Sequence, residues 1–327
     1  MGMKAKKNIA LQLATGKIKN MRKIYTIGEA VYDIIFKNGV PIDAKVGGAM
    51  INTAVSLGRL NMPVYYVGDA AEDAIGDIMS DFLVKNKVDI TYFTKYADSR
   101  SRLALAFIDD VNAPKYLFYK IAPPKKLVLD FPEPEADDIV LFGSFNGIKH
   151  EVRGQLVDFL IKAKRNGAII LYDPNFRINH KSLLSTVLPF IEDNIRFSDI
   201  FKASTEDLEI MFGTQGITET MDRLEHLQIK NMICTQNAQG VDYYSMGQQG
   251  HLSIESVEPL SAVGAGDSFN AGLIYYLFTR KISKVDLRNL SMEQWNEMLQ
   301  IAHSFSLNVC MSTENYISGE LVNQYRL

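Results

Sequence analysis

Gly264, Gly266 and Asp267 stand together in the stretch Ser261-Ala262-Val263-Gly264-Ala265-Gly266-Asp267-Ser268-Phe269. Glycine lets a backbone turn tightly and expose its amides. After Asp267 the apolar residues Phe269, Leu273, Tyr276 and Leu277 recur at helical spacing, so the glycines read as the turn before a helix. The first turn of a helix carries unpaired N–H groups and a partial positive charge. Such a turn holds an anion, typically a phosphate. A carboxylate placed there has two uses: Asp267 can cap the helix, or it can accept a proton from a hydroxyl held beside the anion.

Three other clusters have polar residues to offer. Gly28-Glu29 is followed by Asp33. Gly47-Gly48 opens an amphipathic run with Asn52 in its first turn. Asp173-Pro174-Asn175-Phe176-Arg177 follows an apolar run and is by itself a turn. Taken singly, Asp33 also fits a strand-end turn and Asn52 a surface position. Arg177 and Lys202 also fit solvated charges. Competing chemistries lack their residues. There is no HExxH, no CxxC pair, no GxSxG elbow, no GxxxxGK[ST] loop, and no GxGxxG after the first strand. Zinc hydrolysis, nucleophile-elbow chemistry, the P-loop and dinucleotide-dependent redox chemistry lose their usual supports.

Positioning these groups needs a scaffold, and the chain alternates accordingly. Strands are predicted at Lys23–Ile27, Val64–Val67, Ile139–Phe142, Ala168–Tyr172, Ile200–Lys202 and Met232–Thr235. Helices follow Gly48, Gly68-Asp69, Ser204 and Asp267, with others over Val152–Lys164 and Met292–Val309. Alternation of this length implies a parallel sheet covered on both faces, with ligands beyond the carboxyl ends of its strands. Gly68-Asp69, Asp173 to Arg177, Lys202 to Asp207 and Thr235 to Gly240 therefore share one rim. Between Arg100 and Lys120 the texture changes. Leu103–Ile108 and Tyr116–Tyr119 flank a polar turn and read as a hairpin of a small accessory sheet.

The 327 residues are 47% hydrophobic and 22% charged, with net charge −3. That composition is ordinary for a soluble globular chain, and gives no reason to expect nucleic acid or an anionic membrane. The two cysteines, Cys234 and Cys310, are far apart and suit a reducing cytoplasm. No apolar run reaches the length of a membrane span. Residues 1–22, rich in lysine, read as a disordered extension before a domain covering 23–327.

Taken in order, these pieces resemble the ribokinase-like, or phosphofructokinase-B type, carbohydrate kinases. They are Gly28-Glu29 with Asp33, Gly47-Gly48-Ala49-Met50-Ile51-Asn52, Gly68-Asp69 through Gly76, Asp173-Pro174-Asn175-Phe176-Arg177, and Val263 to Phe269. The resemblance covers nearly the whole chain from Lys23 and is nearest to fructokinases. It implies a three-layer α/β/α domain with a mostly parallel sheet. The small β-sheet would be a lid, built from segments about 33–46 and 100–120, and in several relatives a dimer interface. It also implies transfer of the γ-phosphate of ATP, with Mg²⁺, to a primary hydroxyl of a small sugar. Fructose comes first; 2-keto-3-deoxygluconate, ribose or a nucleoside are the alternatives. A sugar-binding regulator on a kinase scaffold is the reading without turnover.

Roles follow from the same resemblance. Asp267 would be the general base, and the amides of Gly264, Ala265 and Gly266 the anion hole. Asp33, Gly47, Gly48, Asn52, Arg102 and Arg177 would bind the sugar. Asn175, Lys202, Ser204, Thr235, Gly240 and Asn308 would line the nucleotide site, and Asp207 would reach the metal, through water. Three departures stand out. Ser261-Ala262-Val263 replaces the family's Asp-Thr-x, Ser204 and Asp207 replace the Asn and Glu of an NxxE element, and Asn237 replaces a glycine after Thr235. In potassium-responsive relatives an aspartate at the place of Ser261 helps hold the ion, so little dependence on K⁺ is expected here.

Overall fold

The structure is a computed structural model that describes residues 22–108, 115–119, 127–254 and 257–327. Its spine is a nine-stranded sheet. The central strands are β1 (Ile24–Ile27), β4 (Val64–Ala71), β8 (Ile139–Gly143), β9 (Ile169–Asp173), β10 (Ile200–Ser204) and β11 (Asn231–Thr235), all parallel. β5 (Phe93–Tyr96) extends one edge in parallel. β12 (Val241–Ser245) and β13 (Gln248–Leu252) close the other as an antiparallel hairpin. The strand order across the sheet is β13-β12-β11-β10-β9-β8-β1-β4-β5.

Side chains along a strand alternate between faces, and here both faces are buried. Ile24, Val64, Tyr66, Ile139, Leu141, Ile169 and Leu171 enter one core with helices α1 (Ala49–Arg59), α2 (Ala74–Lys85), α7 (Ala265–Thr279) and α9 (Met292–Cys310). Tyr25, Ile27, Val140, Phe142, Ile170 and Tyr172 enter the other with α3 (His150–Asn166), α4 (Leu184–Phe197), α5 (Thr205–Phe212) and α6 (Ile217–Arg223). The expected three-layer α/β/α architecture is therefore present. Two shorter helices, α8 (Lys284–Leu287) and α10 (Gly319–Tyr325), complete the set. α7 lies so close to α9 that a Cβ at Gly272 would sit 2.5 Å from the Cα of Ala302.

A second, four-stranded sheet is built from β2 (Val31–Lys37), β3 (Val40–Gly47), β6 (Leu103–Ile108) and β7 (Lys115–Tyr119), in the order β3-β2-β6-β7. The predicted hairpin is there, paired antiparallel as Leu103↔Tyr119. The extension through residue 21 and the polar turn at 109–114 lie outside the described residues.

Some boundaries differ from expectation. β4 continues past Val67 to Ala71, because Gly68-Asp69 stays extended and pairs with Phe93 and Thr94 of β5. The β12–β13 hairpin turns at Met246 and Gly247, with φ of 48° and 94°. Such left-handed turns suit the twist of adjoining strands. Among the described residues no helix is long and apolar enough to cross a membrane.

Candidate active site

The parallel strands open on one rim, and β1 is the point from which the strand order runs both ways. That is where open α/β sheets collect ligands. α7 starts at this rim. Its N-cap is Gly264, at φ 84°; a Cβ there would lie 2.2 Å from the carbonyl oxygen of Asn315. Only glycine satisfies both the left-handed backbone and the close approach. Asp267 is thus not the cap: it lies inside the first turn, behind Ala265 and Gly266. Of the three expected anion-hole amides, that of Ala265 turns back to donate to Ala262 O at 3.3 Å.

Asp267 is held from several sides. Asn52 Nδ2, from the first turn of α1, donates to Oδ2 at 2.8 Å, and Asn175 Nδ2 approaches Oδ1 at 3.5 Å. Thr53 Oγ1 donates to its carbonyl at 2.8 Å. Burial pushes the carboxyl up to about 6, against the Asn52 hydrogen bond and the Arg177 charge; nearby Asp173 adds to the rise and Lys202 opposes it. A carboxylate tuned toward neutrality suits a general base.

Beneath it lies a buried polar lattice. Asp173, at the end of β9, receives Lys202 Nζ at 2.8 Å and Asn270 Nδ2 at 2.6 Å on Oδ2. Its Oδ1 accepts from the Asn175 amide at 3.2 Å, an Asx-type turn. That turn puts Asn175 at φ 41°, where asparagine is better tolerated than most residues. For Lys202, burial acts to lower its pKa, but Asp173, Asp207 and Asp267 outweigh it and raise it overall. A Cβ on Gly266 would come within 3.2 Å of Lys202 Nζ. The ammonium therefore lies against the glycine turn, and Gly266 leaves it room.

The small sheet brings up Asp33. A Cβ on Gly47 would meet Asp33 Oδ2 at 2.2 Å, and one on Gly48, at φ 122°, would meet the Glu29 carbonyl at 2.3 Å. The glycine pair thus lets β2 cross the start of α1 and places Asp33 at the helix end that carries Asn52. Burial pushes the Asp33 carboxyl up to about 7, with Lys45 opposing.

Several expected site residues have other partners. Arg102 is bound to protein carboxylates: Nη2 to Asp69 Oδ2 at 2.6 Å, with Nε 3.6 Å from Glu29 Oε1. Lys149 Nζ stands 3.8 Å from the same Glu29 oxygen. Ser204 and Asp207 form the capping box of α5. Asp207 accepts from Ser204 N, Ser204 Oγ and, at 2.7 Å, from Phe176 N, so it works as a strut. Asn308 exchanges hydrogen bonds with Ser318 at 2.8 and 3.0 Å. Gly240, at φ 106°, makes the turn into β12. Thr235 lies beside Ser204 at the strand ends, and Arg177 is exposed on the rim.

The residues that sequence reasoning missed are Asp173, Asn270, Thr53, Glu29, Asp69 and Lys149. Asp173 and Glu29 sat inside quoted motifs without a role. A carboxylate directly ending a wholly apolar strand was the available signal for Asp173. Among the described residues, no group of three or more His, Cys, Asp or Glu could hold a metal ion.

Residues 21–311 match the model of the pfkB family carbohydrate kinases. The chain belongs to this family. It is similar to the probable fructokinase-6, chloroplastic, of Arabidopsis thaliana, 28% identical over 283 residues, or 84% of this chain and 71% of that protein. It is likewise similar to a fructokinase of Rhizobium leguminosarum bv. trifolii, 29% identical over 70% of each chain. Among solved structures, a double mutant of a Vibrio cholerae O395 fructokinase, with fructose, ADP and potassium ion bound, superposes with a TM-score of 0.80. The identity is 21%, over 94% of this chain and 99% of that one. Aminoimidazole riboside kinase from Salmonella enterica gives 0.76 at 20% identity, over 94% and 100%. The pfkB chain described here is thus a carbohydrate kinase with the ribokinase-like fold.

Proposed function

We propose that this carbohydrate kinase transfers the γ-phosphate of ATP to a primary hydroxyl of fructose. The observation that carries the reading is the pairing of Asp267 with the α7 turn: a buried carboxyl near 6 sits in the same helical turn as the Gly266 amide. Asp267 accepts the hydroxyl proton as the oxygen attacks phosphorus. Asn52 aims the carboxylate. Its own Oδ1 is buried with no partner and lies beside Asp267, where a sugar hydroxyl can donate to it. Asp33 accepts from sugar hydroxyls. The amides of Gly264 and Gly266, with Lys202 behind them, meet the phosphate charge. The nucleotide lies past Asn175, Lys202, Ser204 and Thr235.

The donor set fits a Mg²⁺ carried on the nucleotide rather than in a protein cage. Asp207, with three of about four acceptor sites filled, would reach it only through water. When bound, the ion neutralises phosphate charge. The small sheet acts as a lid over the sugar, excluding water. Self-association through its exposed apolar residues Val40, Ile42 and Leu117 and a cytoplasmic location belong to the same reading.

The test is ADP release from ATP against fructose, ribose, 2-keto-3-deoxygluconate and nucleosides. Fructose is expected to give the highest kcat/KM. Turnover of another acceptor at tenfold higher kcat/KM would move the assignment to that substrate. Sugar binding by calorimetry without any ADP release would turn the reading into a regulator.

A further inference from the structure

A second cleft, of about 340 Å³, opens between the C-terminal ends of α1 and α2 and the helix α10. Four cations line it: Arg59, Lys85, Lys87 and Arg326. In a chain of net charge −3 this is an uneven concentration. No carboxylate among the described residues is within ion-pair distance of any of the four.

Helix dipoles explain part of the pattern. Arg59 and Lys85 occupy the last turns of α1 and α2, where cations are favoured. Arg326 is the C-cap of α10 and Lys87 follows the Asn86 cap of α2. The dipoles favour a cation at each place but do not explain why all four converge on one cleft without a carboxylate. Arg59 is also fixed in place. Its Nε donates to Asn86 Oδ1 at 2.8 Å, its Nη1 to Ile317 O at 2.7 Å, and its guanidinium stacks 4.2 Å over Tyr316. Those bonds leave Arg59 Nη2 for a ligand, and Lys87 Nζ is held by Asn61 Oδ1 at 2.6 Å. A held guanidinium with lysines around it is an arrangement that can recognise a phosphate.

We propose that this cleft binds the phosphate dianion of a small molecule, at a site separate from Asp267. The volume suits a metabolite-sized ligand. The site also has a mechanical link to the kinase centre. Arg59 lies seven residues beyond Asn52 on α1, about 10 Å along the axis. It grips Tyr316 and Ile317, next to Asn315, whose backbone packs on Gly264.

Calorimetry on the full chain, with ADP at saturation, tests the proposal. The probes are inorganic phosphate and glycerol 3-phosphate. Binding is expected to weaken as KCl rises, and to weaken by roughly tenfold or more in Lys85→Gln/Arg326→Gln. Both side chains are exposed and outside the kinase site, so basal turnover without phosphate is expected to stay at the wild-type rate. A Lys85→Glu/Arg326→Glu chain should bind more weakly still. Tighter binding of the ester assigns the site to an organic phosphate; equal affinities assign it to free phosphate. Wild-type affinity in both variants, no binding at millimolar concentration, or displacement by ADP would overturn the proposal.

Discussion

Asp267, buried, and Asp33, half-buried, are both carboxylates with raised pKa values, yet their surroundings differ. Asp267 is strapped by Asn52 and Asn175 and faces Lys202 and Arg177. Asp33 stands on the small sheet with Lys45 as its only cationic influence, and no described residue donates a hydrogen bond to it. Withdrawing a carboxylate from water without a donor costs free energy. The difference separates two jobs. Asp267 is held in place by protein donors, whereas Asp33 keeps its acceptor sites open, as the proposed sugar-binding role requires.

The largest effect expected from breaking this contrast is on the strapped side. Asp267→Asn retains size and hydrogen bonding but cannot take a proton, so kcat should fall by roughly 10²–10⁴ with little change in sugar affinity. A variant keeping a tenth of wild-type kcat would remove Asp267 from the base role. In the wild type, with the carboxyl near 6, kcat/KM should decline as pH falls below that value, because the protonated acid cannot act as base. A rate flat from pH 7.5 to 5 would contradict this.

Asp33→Ala should act differently. Charge-assisted hydrogen bonds contribute about 1.5–3 kcal/mol each, so sugar affinity should drop ten- to a hundredfold while ADP affinity holds. Calorimetry with each ligand alone reads this out; equal losses for both would place Asp33 in the fold rather than the sugar site. The same carboxyl predicts a stability signature. Its folded pKa, about 7, exceeds the unfolded value of 3.8, so the folded chain binds more protons between them. Its contribution to stability is present below pH 3.8 and is lost as pH rises through 7. Asp33→Asn should therefore gain Tm relative to wild type at pH 8 and not at pH 4. A gain of equal size at both values would show that ionisation is not the cause.

The smallest expected effect concerns monovalent ions. Ser261 stands where potassium-responsive relatives keep an aspartate, and its hydroxyl accepts from Val263 N at 3.2 Å while its amide reaches Cys310 O at 3.3 Å. The turn is shaped by protein contacts, so exchanging K⁺ for tetramethylammonium at fixed ionic strength should change the initial rate by less than about twofold. A tenfold loss without K⁺ would show that the ion shapes the turn.

How far the chain announces this arrangement depends on range. β1, β8, β9, β10 and β11 were legible because strands buried on both faces are nearly continuous apolar runs. β13 was not: Gln248-Gln249-Gly250-His251 is polar, and it is a strand only because β12 pairs with it at the sheet edge. The glycine turn, Asp267 and the Gly47–Asp33 approach follow from local chemistry. The partners of Asn52 and Arg102 do not. Asn52 meets Asp267 across 215 residues of chain, and an amide serves a hydroxyl or a carboxylate equally well. Arg102 had the charge to suit a ligand, but Asp69 and Glu29 reach it first. The capping role of Asp207 was visible in the Ser204 spacing, although family resemblance pointed to metal.

The placement of α7 has a consequence for how this protein fluctuates. Residues Asp267 to Ile274 are all buried, with α1 on one side and α9 on another. Helix amides in such a position are expected to exchange with deuterium at rates near those set by global unfolding. The strands of the small sheet are mostly half-exposed or exposed, and their amides can exchange through local opening. The two halves of the site thus keep different clocks. On the proposed assignment, the half carrying Asp267 should persist through excursions of the half carrying Asp33, so a substrate could enter and leave while the α7 turn stays intact.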